Sequence, residues 1–168
     1  MKEPLNLIIR AQEVEDLDAV HHLLNQPGVL PGIGQLPHRV KKWRVARWEN
    51  AEALLSIVAE HEGQIVGCAG LDAKGRRESH VASLWIGVHQ DFQSQGVGRR
   101  LMAELIDFAD NWLATVHRIE LEYWADNDRA KALYESFGFE VEGVRRAAGF
   151  HGGAYVDSVM MGRLRPKA

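Results

Sequence analysis

Apolar and polar positions follow different rhythms along the chain, and the changes of rhythm divide it into elements. Leu5–Arg10 (LNLIIR) is apolar and β-branched and predicts a strand. Glu13–Leu24 sets Val14, Leu17, Val20 and Leu24 on one stripe, the spacing of an amphipathic helix. Asn25–Pro37 (NQPGVLPGIGQLP) then breaks the pattern with three prolines and three glycines. A loop of that length in a compact chain usually carries function. His38–Asn50 reads as a helix of mixed polarity, and Leu54–His61 with Gln64–Ala73 as two strands around a tight turn at Glu62–Gly63. Val81–His89 is a further strand. In Gly96–Thr115, Leu101, Leu105, Phe108 and Trp112 form one row and Met102, Ile106, Ala109 and Leu113 the next, which predicts a long helix with one broad buried face. Arg118–Trp124 is a strand, Asp128–Ser136 a short helix stopped by Gly138, and Phe139–Val144 and Ala154–Met161 closing strands.

Some of these strands follow one another directly and others are joined through helices. That order implies a mixed sheet with helices on both faces, an α/β (α+β) layered fold. Parallel strands are expected within Val81–Ser136, where a helix lies between strands. With 168 residues and no internal repeat or linker, a single domain over 1–168 is expected. Hydrophobic residues are 46% and charged residues 26%, a balance that excludes disorder as the main state. The one cysteine, Cys68, excludes a disulfide framework and is expected as a small buried thiol. No apolar run approaches a membrane span, and the first residues lack a secretory pattern, so a cytoplasmic protein is expected. Twenty basic against 23 acidic residues give a formal charge of −3, which argues against nucleic-acid binding.

Two segments carry candidate chemistry. In Leu84–Met102 (LWIGVHQDFQSQGVGRRLM) a strand passes through a short polar loop into Gln93-Ser94-Gln95-Gly96-Val97-Gly98 and a helix, followed by Arg99 and Arg100. Glycines there let a ligand approach the main chain, and the free N–H groups of a helix start attract anions such as a pyrophosphate. A dinucleotide fingerprint needs a further glycine where Leu101 stands, and a P-loop needs Gly-Lys-Ser/Thr where Gly98-Arg99-Arg100 stand, so neither fits. Read alone, the two glycines suit a phosphate turn or a plain tight turn. In Ile119–Phe139, Asp126-Asn127-Asp128 suits a helix start, and Ala130, Leu133, Tyr134 and Phe137 share one helix face. Tyr134 is either a core aromatic with its hydroxyl near the surface or a positioned proton donor.

Together the two segments resemble the GNAT superfamily of acetyl-coenzyme A dependent N-acetyltransferases. Gln93-x-x-Gly96-x-Gly98 matches its pyrophosphate motif, and Asn127-x-x-Ala130-x-x-Leu133-Tyr134-x-x-Phe137-Gly138-Phe139 its second signature. Departures are Gln90, where proline is frequent, and Ser94, where glycine is frequent; neither position is expected to supply an essential side chain. Arg77–Ala82, Asp110–Leu113, Arg118–Leu121 and Gly153–Asp157 further resemble a bacterial subgroup that acetylates free L-amino acids such as methionine and phenylalanine.

The resemblance implies a central sheet of about seven strands, with the strands Val81–His89 and Arg118–Trp124 splayed around acetyl-CoA. Ile86 and Val88 would pair with its pantetheine arm. The N–H groups from Gln93 to Arg99, including Gln95, Gly96, Val97 and Gly98, would hold the pyrophosphate. Asn127 and Ala130 would flank the arm, and Tyr134 would sit near the thioester sulfur. An amine would attack the acetyl carbonyl directly, with Tyr134 as proton donor and the Val88 N–H polarising the carbonyl. Glu120 and Glu122 share one sheet face and are the candidate bases, or else solvated strand carboxylates; His80 and His89 are weaker candidates.

On the acceptor side, Leu30, Ile33, Leu36 and Trp85 are candidate pocket walls, with Trp43 expected in the core. The basic residues Arg39, Lys41, Lys42, Arg44 and Arg47 are a solvated face or hold one arginine for a substrate carboxylate. Phe150–Tyr155 is placed to close the pocket or to meet a second subunit in a homodimer. No metal site is expected: His21-His22 cannot share a helix face, and His61-Glu62-Gly63 lacks a second histidine. A small amine, most simply a free L-amino acid or a mimic, is the expected acceptor. Antibiotics, polyamines and protein N-termini are the alternatives within enzymes, and a non-catalytic acyl-CoA sensor is the alternative outside them.

Overall fold

Strand-forming alternation produces Ile8–Ala11 (β1), Ala53–His61 (β2), Gln64–Ala73 (β3), Val81–Val88 (β4), Arg118–Trp124 (β5), Glu140–His151 (β6) and Ala154–Leu164 (β7). In the computed structural model, which describes residues 5–50 and 53–166, they form one seven-stranded sheet in the order β1-β2-β3-β4-β5-β7-β6. Every neighbouring pair is antiparallel except β4 and β5, which run parallel. The helix between those two strands supplies the crossover that a parallel pair requires.

Helices cover both faces. Leu17–Leu24 (α1), Leu30–Ile33 (α2) and Lys41–Asn50 (α3) lie on one side, where Val20, Leu23 and Leu24 pack on Val58, Ile65 and Cys68. Val97–Asn111 (α4) and Asp128–Glu135 (α5) lie on the other, where Leu101, Met102 and Leu105 are fully buried over β2–β5. Each of those side chains contributes about 1.5–3 kcal/mol through burial. α4 sits flush on the sheet because β3 has no side chain at Gly67: a β-carbon there would stand 2.7 Å from Val97 and 2.8 Å from Leu101. The far end of α4 is tied down by Arg163 of β7. Its guanidinium donates to both Asp110 oxygens at 2.9 and 2.6 Å and to the Phe137 carbonyl at 3.0 Å.

Some expected positions shift. α4 ends at Asn111, so Trp112 leaves the buried row and is 74% exposed. Trp43 is 62% exposed instead of packed in the core, because α3 lays a strongly polar helix over α1 and turns Trp48, not Trp43, inward. The loop 25–37 contains one helical turn, α2. The last two strands run further than their alternation predicts and pair right up to His151 and Ala154. The register of β6 slips between Arg145 and Gly149, which hides the periodicity. Ala147 takes a left-handed φ of 50° there, and its N–H donates to Asp157 at 2.7 Å. Among the described residues no helix is long and apolar enough to cross a membrane.

Candidate active site

The parallel ladder between β4 and β5 is short. Val81, Ala82 and Ser83 pair with Arg118, Ile119 and Glu120. Beyond that point β4 stays with β3 as far as Val88, while β5 stays with β7 as far as Trp124. The strands part and leave a cleft of about 630 Å³. On the β3 side His89 donates its N–H to Val66 at 2.9 Å, so by alternation the amides of Ile86 and Val88 face the gap. Their exposed main chain offers an extended ligand the bonds that a missing strand would make. Gln93 braces this edge, donating from Nε2 to the carbonyls of Val88 (3.2 Å) and Gly28 (3.1 Å).

α4 starts at the mouth of the cleft. Ser94 and Gly96 adopt left-handed φ values of 61° and 89°, which explains why glycine suits both positions. The first helical bond runs from the Arg100 N–H to the Gly96 carbonyl, so the N–H groups of Val97, Gly98 and Arg99 have no carbonyl one turn back. They form the positive end of a fifteen-residue helix, an anion cradle. A β-carbon at Gly98 would lie 3.3 Å from Leu133 and 3.7 Å from Val88, so the helix start meets β4 and α5 with no room to spare. Gln95 fastens the turn by donating to the Asp91 carbonyl at 2.6 Å, and Val97 anchors it in the core. Arg99 donates to Ser136 at 3.3 Å across the rim. Opposite, Asn127 caps α5 by accepting from the Ala130 N–H at 3.1 Å, which leaves its amide nitrogen beside Gly32 of α2. Backbone amides along one wall and a helix start at the mouth fit a pantetheine diphosphate.

A second pocket of about 230 Å³ opens from the first. Leu84, Trp85, Tyr123 and Trp124 give it apolar walls, and Glu122 and Ser158 supply its polar groups. Gly32, Ile33, Ile86 and Tyr134 line both cavities. Tyr134 is therefore at their junction. It is buried between the rings of Tyr123 and Phe139, and burial pushes its phenol up to about 12. It remains a protonated donor at neutral pH. Glu122 receives the Arg145 guanidinium on Oε2, and the same oxygen accepts the Ser158 hydroxyl at 3.0 Å.

Residues 17–139 match the Acetyltransferase (GNAT) family. The chain belongs to the GNAT acetyltransferase family. Over 160 residues, covering 95% of this chain and 98% of the relative, it is 35% identical to the L-amino acid N-acetyltransferase AaaT of Escherichia coli (strain K12). A Salmonella typhimurium acetyltransferase solved with its cofactor acetyl-CoA shares the fold at a TM-score of 0.81 and 22% identity, covering 97% of this chain and 96% of that one. The Vibrio cholerae spermidine N-acetyltransferase, solved with CoA and spermine, does so at 0.81 and 24%, covering 95% of both. This GNAT protein is an acetyl-CoA dependent N-acetyltransferase.

Other residues singled out from the sequence of this acetyltransferase lie apart from the junction. Glu120 lies outside the acceptor pocket, in an adjoining polar hollow that Leu84, Glu122 and Glu142 also line, and is bound by Lys74 and Arg118. His89 accepts from the Asp91 N–H at 3.3 Å and caps a turn, and His80 lies in the turn before β4. Cys68 is fully buried, which pushes its thiol up to about 12 and leaves it inert. Of the apolar residues proposed for the acceptor pocket, Ile33 and Trp85 line it, whereas Leu36 is exposed and Leu30 is not part of its wall. None of the basic residues Arg39, Lys41, Lys42 and Arg44 lines it; Arg39 covers the Trp43 ring at 5.2 Å and Arg44 donates to Gln35 at 3.1 Å. The side chain of Arg47 lies outside the described residues.

Three contributors carried no local signal in the sequence. Gln90 accepts from the Gly28 N–H at 3.1 Å while its own N–H donates to Gln26 at 3.0 Å, so it pins the loop of α2 over the cleft. The sequence predicts no essential side chain at this position, and the structure shows the contact that its side chain makes. Ser158 and Arg145 reach Glu122 only through strand pairing more than twenty residues away.

Proposed function

We propose that this acetyltransferase transfers the acetyl group of acetyl-CoA to the α-amino group of a free L-amino acid with an apolar side chain, methionine-like or phenylalanine-like, or a close mimic. The observation that carries the proposal is the junction at Tyr134, where a main-chain cleft meets an aromatic pocket containing a single carboxylate, Glu122. The similarity to an L-amino acid N-acetyltransferase over nearly the whole chain supports the same reading. A polyamine acceptor would call for several carboxylates, and among the described residues Glu122 alone lines the pocket.

The amides of Ile86 and Val88 hold the pantetheine arm. The N–H groups from Gln93 to Arg99 hold the pyrophosphate. Asn127 and Ala130 form the facing wall. Bound acetyl-CoA supplies an activated acetyl thioester. Glu122 accepts the proton that an incoming ammonium must lose before it can attack, directly or through a water. Glu120 is set aside because its carboxylate is engaged by two cations outside the pocket. A main-chain N–H of this wall would polarise the acetyl carbonyl, and Ile86 is the one at the junction, whereas Val88, the expected donor, lines only the cofactor cleft. As the carbon–nitrogen bond forms and the carbon–sulfur bond breaks, the Tyr134 hydroxyl gives its proton to the departing sulfur and the second proton of the attacking nitrogen restores the phenol.

The test is release of free thiol from acetyl-CoA across the L-amino acids, methionine sulfoximine, polyamines, aminoglycosides and short peptides. Turnover concentrated on apolar L-amino acids or their mimics is expected. Turnover confined to polyamines or peptides overturns the acceptor assignment. Cofactor binding without any turnover moves the protein to a sensing role.

A further inference from the structure

The pair Glu122–Arg145 is only half used. Both contacts to the carboxylate, from Arg145 Nη2 and from the Ser158 hydroxyl, fall on Oε2. Among the described residues no hydrogen bond or ion pair is made by Oε1, nor by Nε or Nη1 of Arg145. The side chains are 47% and 54% exposed, so these spare atoms are open to a ligand. Glu122 lines the acceptor pocket, and Arg145 stands opposite Ser158 in the β6–β7 register, at that pocket's edge.

The other cations near this face are differently placed. Lys74 and Arg118 share a chain of contacts with Glu120 and Glu142, two positive against two negative groups. They line the neighbouring polar hollow and are occupied by one another's partners. Among the described residues Arg145 has a single carboxylate partner, and that partner is in the acceptor pocket.

We propose that Glu122 and Arg145 together form a receptor for an α-amino acid zwitterion, with the ammonium on Glu122 Oε1 and the α-carboxylate on the free edge of Arg145. This deepens the proposed function and rests on it. An α-amino acid carries its two charges on neighbouring atoms, so one small molecule can meet two oppositely charged side chains already in contact. A guanidinium presents donors in a planar fork that matches a carboxylate. The same guanidinium repels an amine lacking a carboxylate, so specificity comes from repulsion as well as attraction. Trp85 and Trp124 then receive the apolar side chain.

The experiment compares kcat and KM of the wild type and of Arg145→Gln on L-methionine with L-methioninamide, and on L-phenylalanine with L-phenylalaninamide. The wild type is expected to favour each acid over its amide. Arg145→Gln is expected to raise KM for the acids about 10- to 100-fold, the span of a charged hydrogen bond, and to lower KM for the amides by relieving the repulsion, while any change in kcat that follows from Glu122 losing its cation is shared by acid and amide. Arg145→Lys restores part of the preference and controls for folding. An equal loss on acid and amide, or an acid preference that survives Arg145→Gln, overturns the receptor and leaves the amino-acid reading standing. A wild type that acetylates neither member of either pair, while acetylating other amines, overturns both.

Discussion

The ring of Tyr134 packs against the ring of Tyr123 with 6.0 Å between centroids, and of the two only Tyr134 also lines the cofactor cleft. Both phenols are pushed up by burial, Tyr134 to about 12. Tyr134→Phe is expected to retain acetyl-CoA binding and lose about 10²- to 10⁴-fold in kcat, the usual share of a positioned acid. Tyr123→Phe leaves the donor in place and costs far less. Steady-state kinetics beside a cofactor-binding isotherm separate the two variants.

The elevation of Tyr134 also sets the alkaline behaviour. Its folded value lies above the ordinary phenol value of about 10, so the folded state holds the proton more tightly than the unfolded one. The stability this contributes is complete below pH ~10 and is lost as pH rises toward about 12. In a pH titration of thermal stability, Tyr134→Phe is expected to lose less than the wild type across that interval.

Gly98→Val is expected to raise KM for acetyl-CoA by about tenfold or more and to cost about 1–3 kcal/mol of stability. The first β-carbon already stands 3.3 Å from Leu133, and the added methyl groups must turn toward the cleft. Calorimetric titration with CoA reads the loss directly. Unchanged affinity would remove Gly98 from the cofactor wall.

Arg163 joins β7 to the end of α4 and to the turn after α5, and it is 9% exposed. Arg163→Ala leaves Asp110, which is partly exposed and keeps Arg165 nearby, without its bidentate partner and is expected to cost about 1–3 kcal/mol. The fall in Tm is then roughly 2–4 °C per kcal/mol for a chain of this size. Activity per folded molecule, assayed well below Tm, is expected to persist, because Arg163 touches neither cavity wall.

Cys68 is expected to resist iodoacetamide in the native protein and to react fully in urea, since its thiol is fully buried and far from ionising. Cys68→Ala keeps the acetyl transfer rate. Mass spectrometry of the alkylated protein, taken with and without denaturant, checks the first point.

What was legible in the sequence was what depends on neighbours in the chain. Arg118–Trp124 was found with its observed limits, because apolar and charged residues alternate cleanly and Asn127 caps the next helix. Gly96, Gly98 and Tyr134 were singled out by short motifs that resemble the GNAT signatures, and all three line the cleft. Long-range placement was not legible. Nothing local separates Glu120 from Glu122; the difference is made by Lys74 and Arg118 on one side and by Arg145 and Ser158 on the other. Trp112 fitted the helical row by letter and left it because α4 stops one residue earlier. β6 looked half its length because the bulge from Arg145 to Gly149 shifts the inward positions.

The two binding surfaces are made of different material. The cofactor cleft offers the main chain of β4, the start of α4 and five glycines, whereas the chemistry of the acceptor pocket comes from the side chains of Trp85, Glu122, Trp124 and Ser158. Main-chain donors survive most substitutions, while a pocket of side chains is rewritten by each one. Mutational drift can therefore exchange the acceptor without disturbing the donor. Libraries varied at positions 33, 85, 124 and 145 are the shortest route from this scaffold to acetylation of a different amine.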